Sequence, residues 1–180
     1  DHALEALGST QSNHFCDGIA GSALRLLGSA LPQVKADGTD LDARLRCQVG
    51  AWQSMIPVIG GVPMGASHAI GHVLGGTADV PHGYCSCVMA PSVLAFNQSV
   101  NGDKQKQISA CLGQPDRAAS EIVDEFIKAL GMPRSLTAVG ITEDQRDLIA
   151  EYTMLDFWSR TNPREISGPE DVRGILEMAL

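Results

Sequence analysis

Apolar positions recur at helical spacing along nearly the whole chain, and no stretch sustains the strict alternation of a half-buried strand. His2 to Leu7 is apolar at that spacing and stops at Gly8, which reads as the last turns of a helix that starts upstream. From Phe15, the positions Ile19, Ala23, Leu26 and Leu27 share a face, and Pro32 is expected to stop this helix. Asp40 can cap a helix with Leu41, Leu45, Val49, Trp52 and Ile56 on one side, kinked or ended by Pro57. The glycine-rich run Val58 to Gly65 is a bend. A helix through His68 and His72 follows, and the Gly75-Gly76 pair should end it. Tyr84 to Phe96 is almost wholly apolar, the pattern of a central helix, with a kink expected at Pro91. A polar helix over 101–111 comes next. Asp116 can cap a helix that buries Ala119, Ile122, Val123, Phe126, Ile127 and Leu130. Thr142 opens another, carrying Leu148, Ile149, Tyr152 and Leu155, and Pro169-Glu170-Asp171 opens the last. The pattern predicts an all-α domain of roughly seven to nine helices.

Composition narrows the function classes. Aromatics are 4% of the chain, so Ala, Leu, Val and Ile must build the core. A net charge of −8 argues against nucleic acid, which calls for a basic stripe, and against an anionic membrane surface. No apolar run reaches the ~18 residues of a membrane span. Five cysteines without regular spacing suggest reduced thiols and a cytoplasmic protein. Cys85 and Cys87, two apart on a helix, diverge by about 200° and read as packing residues rather than as a metal pair. The partners expected are a small-molecule substrate and, as a possible homodimer, a second copy of the chain.

The chemistry concentrates between Gly65 and Pro91, where His68, His72 and His82 fall. His68 and His72 are four apart and share one helix face. His82 follows Pro81 and opens the central helix, where the partial positive charge of the helix start favours an unprotonated imidazole. Two helical histidines and one at a loop end could converge on a point. The plainer alternative is that the glycines and prolines shape a tight turn and the histidines fill polar gaps. His14, at a helix start, reads as a structural turn residue.

These residues carry a resemblance. HAIGHVLGG, VPHG and APSVLAFN, with His68, His72, His82, Gly83, Pro91, Val93 and Asn97 at the matching places, resemble the C-terminal domain of the iron-containing alcohol dehydrogenases. The maleylacetate reductase branch is the nearest in pattern. The opening DHALEAL and the ending TNPREISGPEDVRGILEMA extend the likeness to nearly all of the chain. The resemblance implies the all-α fold of the dehydroquinate synthase-like superfamily. It implies that His2, His68 and His82 are metal ligands and that His72 lies beside the substrate as a catalytic group. Arg164 resembles a branch-specific position suited to a substrate carboxylate. The cofactors implied are a divalent metal, Fe2+ or Zn2+, and NAD(P)H, the latter only with the N-terminal nucleotide-binding domain.

Two features depart from that pattern. The family's fourth ligand is an Asp four residues before the first His, a position before residue 1, and Asp1 beside His2 is a poor substitute because adjacent helical side chains diverge. The nucleotide-binding domain is absent from this chain, so residues 1–180 are expected to be a single helical metal- and substrate-binding domain. The activity implied is reduction of a carbonyl or keto-acid by NAD(P)H. The alternatives are a stand-alone isomerase, cyclase or dehydratase using the same histidine-lined pocket, or a binding domain without catalysis.

Overall fold

A computed structural model describes all residues, 1–180, and contains helices only. The order is α1 (His2–Gly8), α2 (His14–Ala36), α3 (Leu41–Ile59), α4 (Ala66–Ala78), α5 (His82–Cys111), α6 (Ala119–Leu130), α7 (Glu143–Thr153) and α8 (Pro169–Glu177). Short 3-10 turns lie at Thr137–Val139 and Phe157–Thr161. No helix is long and apolar enough to cross a membrane.

The 30-residue α5 is a wall with a core on each side. Val88, Met89, Val93 and Phe96 pack with α4, α7 and α8 around Ile70, Leu74, Ile149 and Ile175. Ala90, Leu94 and Ile108 pack with α1, α2 and α6 around Leu4, Leu7, Ala20 and Val123. This explains the run that is apolar on every side. It also explains why Pro91 does not break α5, since the residues on either side of it, Val88 to Ala90 and Ser92 to Leu94, are buried. The ~3 kcal/mol cost of an interior proline is outweighed by that burial. Non-helical geometry falls instead at Asn101, so the polar segment 101–111 is the second part of α5.

Other boundaries move for the same reason. Pro32 and Pro57 sit inside α2 and α3, which run on to Ala36 and Ile59. Gly75 and Gly76 lie within α4, which ends at Asp79 in the left-handed region, φ 54°. Asp116 does not cap α6, which starts at Ala119 without a side-chain cap. Asp40 does cap α3, accepting from Ala43 N, and Asn13 caps α2, accepting from Cys16 N.

The apolar stripe expected on α3 faces outward, with Leu41, Leu45 and Trp52 exposed. The buried side is Ala43, Gly50, Ser54 and Pro57, small residues that let α3 lie close to α2. On α7, Leu148 and Tyr152 are exposed and Ile149, Ala150 and Thr153 are buried, while Leu155, expected on the same helix, lies beyond its end and is exposed. Close approach, not side-chain size, sets the α2–α3 contact. A Cβ at Gly50 would stand 2.9 Å from Leu27 Cγ. Gly50→Ala is therefore expected to destabilise the chain by about 1–3 kcal/mol in urea melts, because overpacking exceeds the ~1 kcal/mol helix-propensity gain. A stabilised variant would show that the α2–α3 contact can spread without loss.

Candidate functional site

Helix α4 supplies His68 and His72, and its first turn is held from two distant places. No side chain of its own caps the start at Gly65. Glu5 of α1 accepts from Gly65 N at 2.9 Å and Ser67 N at 2.8 Å. Asn162, after the Phe157–Thr161 turn, accepts from Ala66 N at 3.1 Å. A carboxylate at this helix start meets both unpaired N–H groups and the positive end of the helix dipole. Gly65 leaves room for it: a Cβ there would lie 2.8 Å from Asn162 Oδ1 and 3.1 Å from Glu5 Oε1.

Glu5 also sets the first histidine. His68 is 4% exposed and its Nδ1 lies 2.7 Å from Glu5 Oε2. A carboxylate only accepts, so the ring donates from Nδ1 and keeps its lone pair on Nε2. The His2 ring lies against it, with centroids 4.6 Å apart. His82, at the start of α5, lines the same cavity as His2, a space of about 390 Å³ whose far wall includes Leu27, Leu31, Phe126 and Leu130. Burial first, then the neighbouring His68 and His82, push the His2 pKa down to about 4. His2 and His68 are thus directly paired, and His82 shares the cavity with His2, but the three expected ligands do not form a close set: the group within 4.8 Å is Asp1, Glu5 and His68.

His72 lies one turn further along α4. Its ring is 6.4 Å from that of His68, edge-on. Its Nδ1 meets Asp156 Oδ2 at 2.8 Å. Trp158 fills the corner between the two histidines, 5.5 Å from His68 and 5.0 Å from His72.

Asp1 approaches the same nitrogen of His68 that Glu5 binds. One of its oxygens accepts from Ser67 Oγ at 2.8 Å and lies 3.5 Å from His68 Nδ1. Its second oxygen is buried without a partner. Asp1, Glu5 and His68 form the tightest set of potential ligands, with atoms within 4.8 Å of one another. Glu5, however, already accepts three N–H groups there, so this side anchors His68 rather than offering an open site.

Arg164 is engaged elsewhere. Its guanidinium stacks 4.0 Å over the Phe96 ring and donates to the Phe96 carbonyl at 3.2 Å. This clamps the loop to α5 and gives no support to a role with a substrate carboxylate. His14 is the exposed first residue of α2, and it takes no part in the histidine cluster. Cys85 is buried in one core while Cys87 borders the other and lines the cavity, so the pair diverges as its spacing requires. Burial pushes both thiols up.

Along residues 1–180 the chain matches the Fe-containing alcohol dehydrogenase family, C-terminal part. It belongs to that family. Within the iron-containing alcohol dehydrogenases it is 32% identical over 179 residues to a maleylacetate reductase of Rhizobium sp. strain MTP-10005, covering 99% of the chain and 49% of that protein. It is 28% identical over 188 residues to the NAD-dependent methanol dehydrogenase of Bacillus methanolicus, with the same coverage of both. The solved 1,3-propanediol oxidoreductase superposes with a TM-score of 0.93 at 27% identity, over 99% of this chain and 49% of that one. The chain thus spans about half the length of the relatives it matches. The all-α fold expected from the family pattern is the fold observed.

The sequence reading passed over Glu5, Asp156, Trp158 and Asn162. Glu5 left a signal, since it lies three residues after His2 and shares its helix face. Asp156 and Trp158 left none: they reach α4 from more than 80 residues away.

Proposed function

We propose that this chain is the metal- and substrate-holding helical part of a metal-dependent NAD(P)H oxidoreductase acting on an alcohol or its carbonyl partner. His2, His68 and His82 are the ligands of a divalent ion, Fe2+ or Zn2+, and His72 serves the substrate oxygen. The observation that carries this reading is the pairing of His2 with a His68 whose Nδ1 is taken by Glu5, leaving Nε2 as the donor atom.

The donor set fits such an ion. Neutral imidazoles are what a divalent metal requires, and nitrogen donors suit iron or zinc. A carboxylate on the far nitrogen fixes the tautomer and raises the basicity of the ligating one. When bound, the ion would polarise the substrate oxygen as a Lewis acid. The protein's own part is then clear. Glu5 holds His68 in one tautomer, Trp158 walls the space between His68 and His72, and His72 stands one turn away to exchange a proton. Hydride chemistry belongs to a nicotinamide, which calls for a nucleotide-binding partner half.

Metal titration of the apo-chain tests the reading. Zn2+ or, without oxygen, Fe2+ should bind one per chain. His68→Ala and His82→Ala should each lower affinity at least about tenfold, on the scale of a lost ligand or its support. His72→Ala should leave it nearly unchanged. Chelation should not unfold the chain, since both cores are built from apolar side chains and include no histidine. Equal losses in the His68 and His72 variants would show the two roles to be wrongly divided. No binding by the unaltered chain would sink the metal reading.

A further inference from the structure

We propose that Asp156 is a positioning residue that holds His72 in its Nδ1–H tautomer and so presents Nε2 to the substrate oxygen. This rests on His72 being the group that exchanges a proton with substrate.

The geometry is two-handed. Asp156 Oδ2 takes Nδ1–H of His72 at 2.8 Å, while Oδ1 takes Trp158 N at 2.9 Å. One carboxylate therefore joins the loop after α7 to the exposed side of α4, and it fixes the start of the Phe157–Thr161 turn in doing so. The Trp158 ring set by this turn lies 5.0 Å from His72, tilted by 33°. Protection is unequal in a useful direction: the Asp156 side chain is 19% exposed and that of His72 41%. The carboxylate is the more sheltered partner, and Nδ1 is the ring nitrogen that the chain engages.

A neutral imidazole has one donor and one acceptor nitrogen, and the partner of one decides the role of the other. With Nδ1–H committed to Asp156, Nε2 carries the lone pair. In the oxidising direction Nε2 would take the alcohol O–H proton; an oxidised nicotinamide, when bound, would supply the acceptor for the C–H hydride, leaving a C=O bond. The imidazolium made in that step is stabilised by Asp156. In the reducing direction Nε2–H would return the proton to the oxygen, the hydride being what a reduced nicotinamide would supply. Glu5 on His68 and Asp156 on His72 thus make a matched arrangement: two carboxylates, each taking Nδ1–H of a histidine on the same face of α4.

Asp156→Asn separates positioning from plain structure. The amide oxygen can keep the bond to Trp158 N, and its NH2 then faces Nδ1 of His72. Two donors cannot share that contact, so Nδ1 must become the acceptor and the proton must move to Nε2. The first measurement is the 15N–1H correlation of the imidazole rings in the labelled chain without metal, with the His72 signal assigned by loss in His72→Gln. The unaltered chain should show Nδ1–H and the Asp156→Asn chain Nε2–H. The second is turnover in the intact protein that carries the nucleotide-binding half. There kcat should fall about 100-fold, at the lower end of general acid–base contributions, with KM little changed. Asp156→Glu should restore part of the rate, and metal content should stay constant throughout.

An Nε2–H tautomer in the unaltered chain, or an Asp156→Asn protein with its rate intact, would overturn the assignment. The tautomer is read without metal, so it is independent of the His68 and His82 titrations that judge the metal site.

Discussion

Glu5→Ala is expected to destabilise the chain by about 3 kcal/mol or more and to lower metal affinity as well. The carboxylate accepts from Gly65 N, Ser67 N and His68 Nδ1. Its side chain is 10% exposed, so water cannot take over these donors without opening the site. Each buried donor left unmet costs about 1–3 kcal/mol, and three are involved. Glu5→Gln is the sharper variant because it keeps shape and burial. Both Glu5 oxygens face N–H groups, so either orientation of the amide sets its NH2 against a donor. A loss of about 1–2 kcal/mol follows from that conflict. Release of His68 Nδ1 also frees the ring to change tautomer, which should weaken metal binding about 10- to 100-fold. Urea melts and Zn2+ titrations on the same preparations check both parts. An affinity unchanged in Glu5→Gln would mean that Glu5 is a helix cap and nothing more.

Asn162→Asp is expected to cost about 3 kcal/mol. Every hydrogen-bonding position of this buried amide is used. The oxygen accepts from Ala66 N and Asn97 Nδ2, and the nitrogen donates to Asn97 Oδ1 at 2.7 Å and to the Arg164 carbonyl at 2.7 Å. An aspartate keeps the acceptor side and loses both donors. It then sets a buried charge against two oxygens. The volume hardly changes, so the loss reports hydrogen bonding rather than a cavity. Asn97→Ala should interact strongly with it: the double variant should lose clearly less than the sum of the singles, because both dismantle one network. Thermal and urea melts of the four chains measure this. A loss below ~0.5 kcal/mol in Asn162→Asp would show that the amide pair is not what joins the loop to α4 and α5.

Both substitutions act at the start of α4, and this explains why the site depends on the whole domain. Glu5 arrives from α1 and Asn162 from the loop before α8, and they meet at the amides of Gly65, Ala66 and Ser67. The helix that carries His68 and His72 is therefore aimed by α1 on one side and by the loop on the other. The bends and helices between them contribute the two cores that hold those segments in place.

Much of this was legible from the residues in order. Helical periodicity and the absence of alternation were enough for the all-α class. The all-apolar run after Tyr84 was enough for a central helix. The spacing of His68, His72 and His82, with the family pattern around them, marked the region of the candidate site. These are local signals, written in a few neighbouring residues.

What the order of residues left open was decided by contacts between distant segments. Pro32, Pro57, Pro91 and the Gly75-Gly76 pair favour breaks locally, yet the helices continue because packing outweighs the local cost. The large apolar residues of α3 read as an inner face, but small residues permit the closer contact with α2 and took that side. Arg164 has the chemistry to meet a carboxylate, and Phe96 met it first. The tautomers of His68 and His72 depend on Glu5 and Asp156, 63 and 84 residues away in the chain. A side chain's type is a property of the sequence; which of its atoms is left free is settled only by the partners that folding brings to it.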